Sequence, residues 1–350
     1  DCVARLRQRA EDVRGPYFRD QTAIIHSTSF RRLKHKTQAF FAPENDHVCT
    51  RIEHVLHVAT IASTICRGLN RHGWALEDDL AYAAGLGHDL GHTPFGHVGE
   101  RALSHAIARY RGLDPDEPTS GRLFEHNEQS LRVVEKLEND GAGLNLTFEV
   151  RDGIVNHSGD GVPCTLEGKV VKFADRIAYI NHDIDDAIRA GLLHQEDLPK
   201  GPLELLGATG SQRIDVLVRD LINASAGVTD QHEAADRHGV AGQHGAADHY
   251  GTANQIVQSP EIGAAMNELR CFLFQQVYIG SRAKVEETKV SRMLQMLYKF
   301  YLANPEEMPP DDRQDETPDR EVCDYIAGMT DSYAVAQFGE KFIPHAWTVK

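Results

Sequence analysis

An all-α fold is predicted by three features of the sequence. Apolar residues recur at helical spacing in most long segments, alternating β-type runs between turn residues are scarce, and the periodic segments open on capping or acidic first-turn residues. The first such helix opens at Thr50, which with Glu53 makes a capping box. Ile52, Val55, Ala59, Ala62 and Ile65 then trace one buried face running toward Gly68, with His54 on its edge. A second helix opens on Glu77, Asp78 and Asp79, whose charges suit the positive end of the helix dipole, continues through Leu80, Ala83 and Ala84, and runs out at Gly91. His88 and Asp89 fall in its last turn. Thr165 is placed to cap a long third helix whose Val170, Phe173, Ile177, Ile180, Ile184 and Ile188 face the core until Gly191 ends it. Asp175, Tyr179 and Asp183, at successive steps of four, share another face of that helix.

Between about residues 226 and 250 the chain becomes rich in Gly, Ala, His and Asp with almost no large apolar residues, which predicts a flexible loop or insertion. Its weak self-repeat, His232 and His238 against His244 and His249, reads as polar filler rather than a metal-binding tract. Pro305 to Pro318 reads as a solvated connector before a last helical region around Glu321 to Tyr333. Neither break separates two domains. The expectation is one helical unit over 1–350, with a motif-bearing core at about 17–191 and a C-terminal helical part at about 260–350.

With 41% hydrophobic and 25% charged residues, the 350-residue chain has the composition of a soluble globular protein able to bury a large core. Its 37 basic and 52 acidic residues leave a formal charge of −15, which disfavours indiscriminate binding to nucleic acid. Positive charge gathers locally at Arg31, Arg32, Lys34, His35 and Lys36, a run able to face an anion or simply solvent. The six cysteines contain no CxxC pair, which argues against a zinc ribbon and a disulfide framework and suits a reducing cytoplasm. No apolar run approaches a membrane span and no charged-then-apolar leader precedes Arg5, although the chain opens on Asp1 rather than Met. A cytoplasmic, membrane-free location is expected.

The densest chemistry lies in Gly87-His88-Asp89-Leu90-Gly91-His92-Thr93-Pro94-Phe95-Gly96-His97-Val98-Gly99-Glu100, where three histidines and two acids sit among four glycines in tight backbone. A divalent metal that keeps positions open for water and a phosphate oxygen takes a few imidazole and carboxylate ligands. His54, His88, Asp89 and Asp175 have that chemistry, although spacing alone does not bring three helices together, and His182-Asp183 repeats the dipeptide elsewhere.

These residues resemble a known pattern. His54, His88-Asp89 and Asp175 are similar to the H...HD...D signature of the HD superfamily of metal-dependent phosphohydrolases. The resemblance extends to its deoxynucleoside triphosphate triphosphohydrolase (dGTPase-like) branch through Phe30 to Gln38, Thr50 to His54, His88 to Glu100, Phe124 to Glu128, Asp175 to Tyr179, and Val322 to Asp331. The resemblance implies an HD-domain helical fold with additional C-terminal helices. It implies hydrolysis of a deoxynucleoside triphosphate at the α-phosphorus, giving deoxynucleoside and intact triphosphate, with a divalent cation (Mn, Mg, Co, Ni, Fe or Zn) as Lewis acid and source of hydroxide. His97 and Glu100 match the catalytic pair, the carboxylate orienting an imidazole that protonates the leaving 5′ oxygen.

The chain has no GxxxxGK[ST] loop, so side chains must bind the phosphates. Arg51, His92, His126 and Arg176 are the candidates, with Lys172 a weaker addition. Gln38, Tyr179 and Asp183 are implied around the sugar, where they would exclude a 2′-hydroxyl. A homo-oligomer, often a hexamer, and a nucleotide or single-stranded DNA effector are implied as well. The competing readings are an HD monophosphatase or phosphodiesterase, and a nucleotide-sensing or single-strand-binding oligomer with little turnover. The segment from Gly191 to about Glu261 matches no motif of the branch, which leaves base preference open.

Overall fold

A computed structural model describes residues 4–10, 12–38, 49–117, 119–238, 254–279, 286–310 and 316–344. Among them are fourteen α-helices: α1 (Pro16–His26), α2 (Thr28–Arg32), α3 (Arg51–Asn70), α4 (Asp78–Gly87), α5 (Gly96–Tyr110), α6 (His126–Arg132), α7 (Phe148–Val155), α8 (Leu166–Arg189), α9 (Lys200–Leu206), α10 (Gly210–His238), α11 (Pro260–Leu273), α12 (Glu287–Ala303), α13 (Pro318–Ala327) and α14 (Asp331–Phe342). No strand occurs among the described residues, only isolated bridges between Arg5 and Thr147 and between Thr37 and Thr50. The fold is all-α. No helix among the described residues is long and apolar enough to cross a membrane.

The capping signals do what the sequence predicts. Glu53 Oε2 accepts from the Thr50 backbone N–H at 2.7 Å, closing the box that starts α3. Thr165 Oγ1 accepts from Gly168 N at 3.0 Å to start α8, and Gly191, with φ at 66°, ends that helix in the left-handed region. The second helix is shorter than its periodicity suggests: α4 stops at Gly87, and His88 to Gly91 continue as turns. Gly91 is pressed against α6, its N–H donating to Ser130 Oγ at 2.9 Å, and a Cβ there would lie 2.1 Å from Ser130 N. That close approach is what bends the chain out of the helix.

Helix α3 packs between α4 and α8, with α1 and α7 against α4. One buried cluster joins α3, α8, α10 and α11; a second joins α1, α3, α4 and α7; a third wraps α5 with α12, α13 and α14. The segment read as a loop from residue 226 onward requires a correction. Helix α10 continues unbroken to His238 because Ala, Gln, Glu and Arg in this stretch are good helix formers that extend an already nucleated helix. The rest of that segment, 239–250, and with it His244 and His249, lies outside the described residues. Described cysteines Cys49, Cys66, Cys164, Cys271 and Cys323 are unpaired.

The basic run does not form one charged face. Lys36 is buried, and its Nζ donates to the backbone carbonyls of His92, at 2.5 Å, and Ala327, at 2.7 Å. Burial, helped by Arg32, pushes its ammonium well below the usual lysine range. Lys36 thus ties the turn after α4 to the end of α13.

Candidate active site

Three helices deliver the four predicted metal ligands to one point. His54 comes from the first turns of α3, His88 and Asp89 from the turn ending α4, and Asp175 from the middle of α8. His54 Nε2 lies 3.1 Å from Asp175 Oδ1 and 3.9 Å from Asp89 Oδ2; His88 Nε2 lies 3.6 Å from Asp89 Oδ1 and 3.9 Å from Asp175 Oδ1. His88 Nδ1 donates to the Gly85 carbonyl at 2.7 Å, which fixes the tautomer and turns the Nε2 lone pair inward. That Nε2 is buried and has no hydrogen-bond partner. Burial lowers the His88 pKa, keeping the ring neutral. Burial favours protonation of Asp175, but the His54 hydrogen bond overrides it and pulls the carboxyl to about 2. Burial likewise opposes ionisation of Asp89, yet the Arg51 guanidinium holds it well below the ordinary range. The neutral His88 ring with its orphaned, inward-facing nitrogen, the His54 imidazole and two ionised carboxylates fit a borderline divalent cation.

Glu100 holds two imidazoles rather than one. Its Oε2 bonds His97 Nδ1 at 2.8 Å, as the spacing predicts, while Oε1 accepts from both the backbone N–H and Nδ1 of His126 at 2.8 and 2.9 Å. Burial works against charge on both partners, but their mutual attraction wins, lowering Glu100 well below and raising His126 above their usual values. His97 is 67% exposed and leans over the site, whereas His92 is buried and stacks on His126 with ring centroids 4.6 Å apart. Burial and the nearby Arg51 push His92 well below its normal value, and its Nδ1 has no partner.

These groups border a cavity of about 650 Å³, lined by Gln38, Arg51, His54, Asp89, His92, His97, His126, Asp175, Tyr179 and Asp183 among others. The Asp183 carboxyl is buried with Oδ1 unpartnered, and burial followed by Asp186 raises it well above the normal range. Burial raises Tyr179 to about 12, keeping its hydroxyl protonated. Gln38 Oε1 is also buried without a partner.

Two predicted phosphate contacts behave differently. Arg51 is fully buried and already engaged, pairing with Asp89 and donating to the Thr37 and Gln38 carbonyls, so Nε is its one unpartnered nitrogen. Arg176 is exposed and lies outside the cavity lining, its guanidinium 6.0 Å from the Phe173 ring centroid. The reason is helical geometry: Arg176 follows Asp175 by one residue and points about 100° away from the metal-facing stripe. Lys172 instead donates to the Gly159 and Gly161 carbonyls. His182 packs against His57 and is pushed by burial and His54 to about 3; it takes no part in the quartet.

Sequence reasoning missed His157, Ser158, Arg101, Arg270 and Phe274, which line the same cavity. His157 closes on His126 at 3.2 Å between Nε2 atoms, and burial with His88 pushes it to about 3. Its one sequence signal was an isolated histidine just after the apolar stretch of α7. Arg270 and Phe274 sit at ordinary surface positions of an amphipathic helix and the π-helical segment that follows it, so no local pattern marks them.

The HD domain family profile matches residues 51–180, and the phosphohydrolase-associated domain profile matches 256–340. A deoxyguanosinetriphosphate triphosphohydrolase-like protein of Caldanaerobacter subterraneus subsp. tengcongensis is 47% identical over 350 residues, covering 98% of this chain and 91% of that one. A protein of the same name from Clostridium perfringens is 42% identical, covering 98% of this chain and 92% of its own. A solved phosphohydrolase from Bacteroides thetaiotaomicron aligns with a TM-score of 0.53 at 16% identity, over 92% of this chain and 69% of that one, a likeness of fold.

Proposed function

The chain belongs to the HD-domain, deoxyguanosinetriphosphate triphosphohydrolase-like family of hydrolases, and from that premise we propose that it hydrolyses deoxynucleoside triphosphates to deoxynucleoside and inorganic triphosphate. The observation that carries this reading is the convergence of His54, Asp89 and Asp175, with the orphaned His88 Nε2 beside them, on a cavity that Gln38, Arg51, His92, His126, Tyr179 and Asp183 also line. A divalent cation held by His54, His88, Asp89 and Asp175 would supply Lewis acidity and an acidified water.

His97 sits where a proton can be handed to the 5′ oxygen as the bond to the α-phosphorus breaks and water oxygen joins that phosphorus. Glu100 anchors His97 Nδ1 and so aims Nε2 outward. Glu100 also keeps His126 charged beside the cavity, and with His92 that gives the phosphates one cationic and one neutral imidazole. Arg51 acts mainly by fixing Asp89 and the Thr37–Gln38 backbone, leaving Nε for substrate. Tyr179, Gln38 and Asp183, whose carboxyl burial raises well above its ordinary range, form a polar, crowded wall for the sugar, suited to bond a 3′-hydroxyl and to exclude a 2′-hydroxyl. A homo-oligomer and activation by a nucleotide or single-stranded DNA accompany this reading.

The test is incubation of the metal-reconstituted protein with each deoxynucleoside triphosphate and its ribonucleotide, with and without candidate activators, and separation of products by anion exchange. Deoxynucleoside plus triphosphate, absent in His97→Ala and Asp89→Ala, is the expected result. Release of orthophosphate or pyrophosphate alone would replace this reading with another hydrolysis, and intact nucleotide under every condition would leave a binding role.

A further inference from the structure

His126 and His157 meet at the edge of the catalytic cavity. His126 opens α6 and His157 follows the last turn of α7, and Asn127 Nδ2 donates to the Val155 carbonyl at 2.6 Å, so the two helix ends keep one register. Both rings are buried. Each Nδ1 has an oxygen as its partner, Glu100 Oε1 at 2.9 Å for His126 and the Ile154 carbonyl at 2.7 Å for His157. Neither an ionised carboxylate nor a carbonyl can donate, which assigns a hydrogen to both Nδ1 atoms. The two Nε2 atoms then stand 3.2 Å apart, where a pair of lone pairs would repel, so one ring carries a second hydrogen. Burial opposes this on both rings; the Glu100 carboxylate overrides burial at His126, whereas at His157 burial prevails. His126 Nε2–H therefore donates to His157 Nε2, and a row runs from the Glu100 carboxylate through an imidazolium and a neutral imidazole to the Ile154 carbonyl.

A competing acceptor stands close by. Asp89 Oδ1 lies 3.9 Å from His126 Nε2, and an imidazolium turned onto it would draw on the charge of a carboxylate assigned to the metal. Stacking on His92, with ring planes 16° apart, fixes the plane of the His126 ring, and Glu100 fixes one edge. His157 holds the other edge. It is itself held in place by its Ile154 bond and by the His88 ring, which meets it edge-on with centroids 4.7 Å apart.

The geometry points to His157 as a positioning residue: its Nε2 accepts the His126 Nε2–H and holds that imidazolium off Asp89, so that its charge faces the substrate phosphates. The substrate in this inference rests on the hydrolysis proposed above, whereas the bond between the two rings does not.

Two substitutions separate the nitrogens of His157. His157→Asn keeps a donor near the Nδ1 position for the Ile154 carbonyl and withdraws the Nε2 acceptor, while His157→Gln reaches the Nε2 position and returns an acceptor. Both are compared with the parent, as metal-loaded full chains, by steady-state kinetics on the nucleotide the parent hydrolyses best, by metal content, and by nitrogen–proton spectra of the histidine rings, in which His126→Gln identifies the His126 signal. The expected spectrum shows a slowly exchanging His126 Nε2–H in the parent and in His157→Gln that is missing in His157→Asn. In the kinetics, KM rises about tenfold in His157→Asn, the size of one charge-assisted contact, while kcat stays within about twofold and His157→Gln recovers the parent KM. Metal content stays the same in all three, whereas a purely structural role would lower kcat, metal content and melting temperature in both variants alike. Equal behaviour of the Asn and Gln variants overturns the proposal, as does a parent that binds two metal ions per chain and shows no His126 Nε2–H, since a cation would then join the rings. If the parent hydrolyses no nucleotide, the hydrolysis reading fails by itself and the ring spectrum decides: a signal that Asn removes and Gln keeps supports the positioning bond, and its absence from the parent rejects it.

Discussion

Single side chains divide into those that hold the site together and those that act on what enters it, and exposure separates the two. Asp89 is buried against Arg51 and presents oxygens to both His54 and His88. Asp89→Ala should therefore abolish bound metal by elemental analysis and also cost about 3–5 kcal/mol of stability, because Arg51 is left buried and unpaired. His97 is two-thirds exposed and its hydrogen bond among the described residues is to Glu100. His97→Ala should leave the melting temperature and metal content unchanged while lowering turnover by about 10²–10⁴-fold, the scale of general acid catalysis. Retention of metal by Asp89→Ala, or its loss in His97→Ala, would reverse these assignments. The residue types of the quartet were legible in the sequence, and so was the His97–Glu100 spacing. What could not be read was the second bond of Glu100 to His126 and the tether of Arg51 to Asp89 and to backbone carbonyls. Each depends on which carbonyl or carboxylate the fold brings near, and that is set by residues 13 to 38 positions away.

At the scale of helices, capping and periodicity read correctly wherever the signal was local, as at Thr50, Thr165 and Gly191. They failed where a distant element decides, as at Gly91 against α6, and where composition imitates a loop although the backbone still favours helix, as in α10. The start of α2 is an instance of remote control that no local pattern reveals. Glu138, 110 residues from Thr28, accepts from the Thr28 N–H and hydroxyl at 3.1 and 2.8 Å and from the Ser29 N–H and hydroxyl at 2.7 and 2.6 Å. Burial opposes its charge, but the Ser29 and Thr28 bonds outweigh that and hold the carboxyl below its usual range. A carboxyl with a depressed folded pKa stabilises the fold above its unfolded value near 4.5, and that contribution is lost as pH falls through the folded value. Glu138→Gln should cost about 1.5–3 kcal/mol at neutral pH, and its melting temperature should converge on that of the parent as pH drops below the unfolded value. Denaturation curves at several pH values check this; a gap that stays constant with pH would mean that charge is not what Glu138 contributes.

Across the whole molecule, the C-terminal helices are fastened to the catalytic core by buried polar groups, which makes one cooperative unit the expected behaviour. Lys36 bridges His92 and Ala327, while Asp324 accepts from Arg132, at 2.7 Å at the shortest, and from Gln129 at 2.9 Å. Asp331, the first residue of α14, makes the connection most relevant to function. Its Oδ1 accepts from Phe95 N at 2.9 Å and its Oδ2 from Thr37 N at 2.9 Å, with the Thr37 hydroxyl as a further donor. Phe95 is held at φ 61°, a left-handed conformation that is strained for an aromatic residue, directly before the helix that carries His97 and Glu100; Thr37 precedes Gln38. One carboxylate from the far end of the chain therefore sets both the angle at which α5 leaves its turn and the position of the Gln38 wall. Calorimetry of the intact chain should show a single unfolding transition. Asp331→Ala should lower its midpoint, because the buried Phe95 N–H loses its acceptor at about 1–3 kcal/mol and the part-buried Thr37 N–H loses its own as well. The same substitution should depress turnover without changing metal content, since His54, His88, Asp89 and Asp175 take no bond from Asp331. Two resolved transitions in the parent, or full activity in the variant, would show that the C-terminal helices are only an attachment, whereas turnover falling with metal still bound would show that they shape the site from a distance.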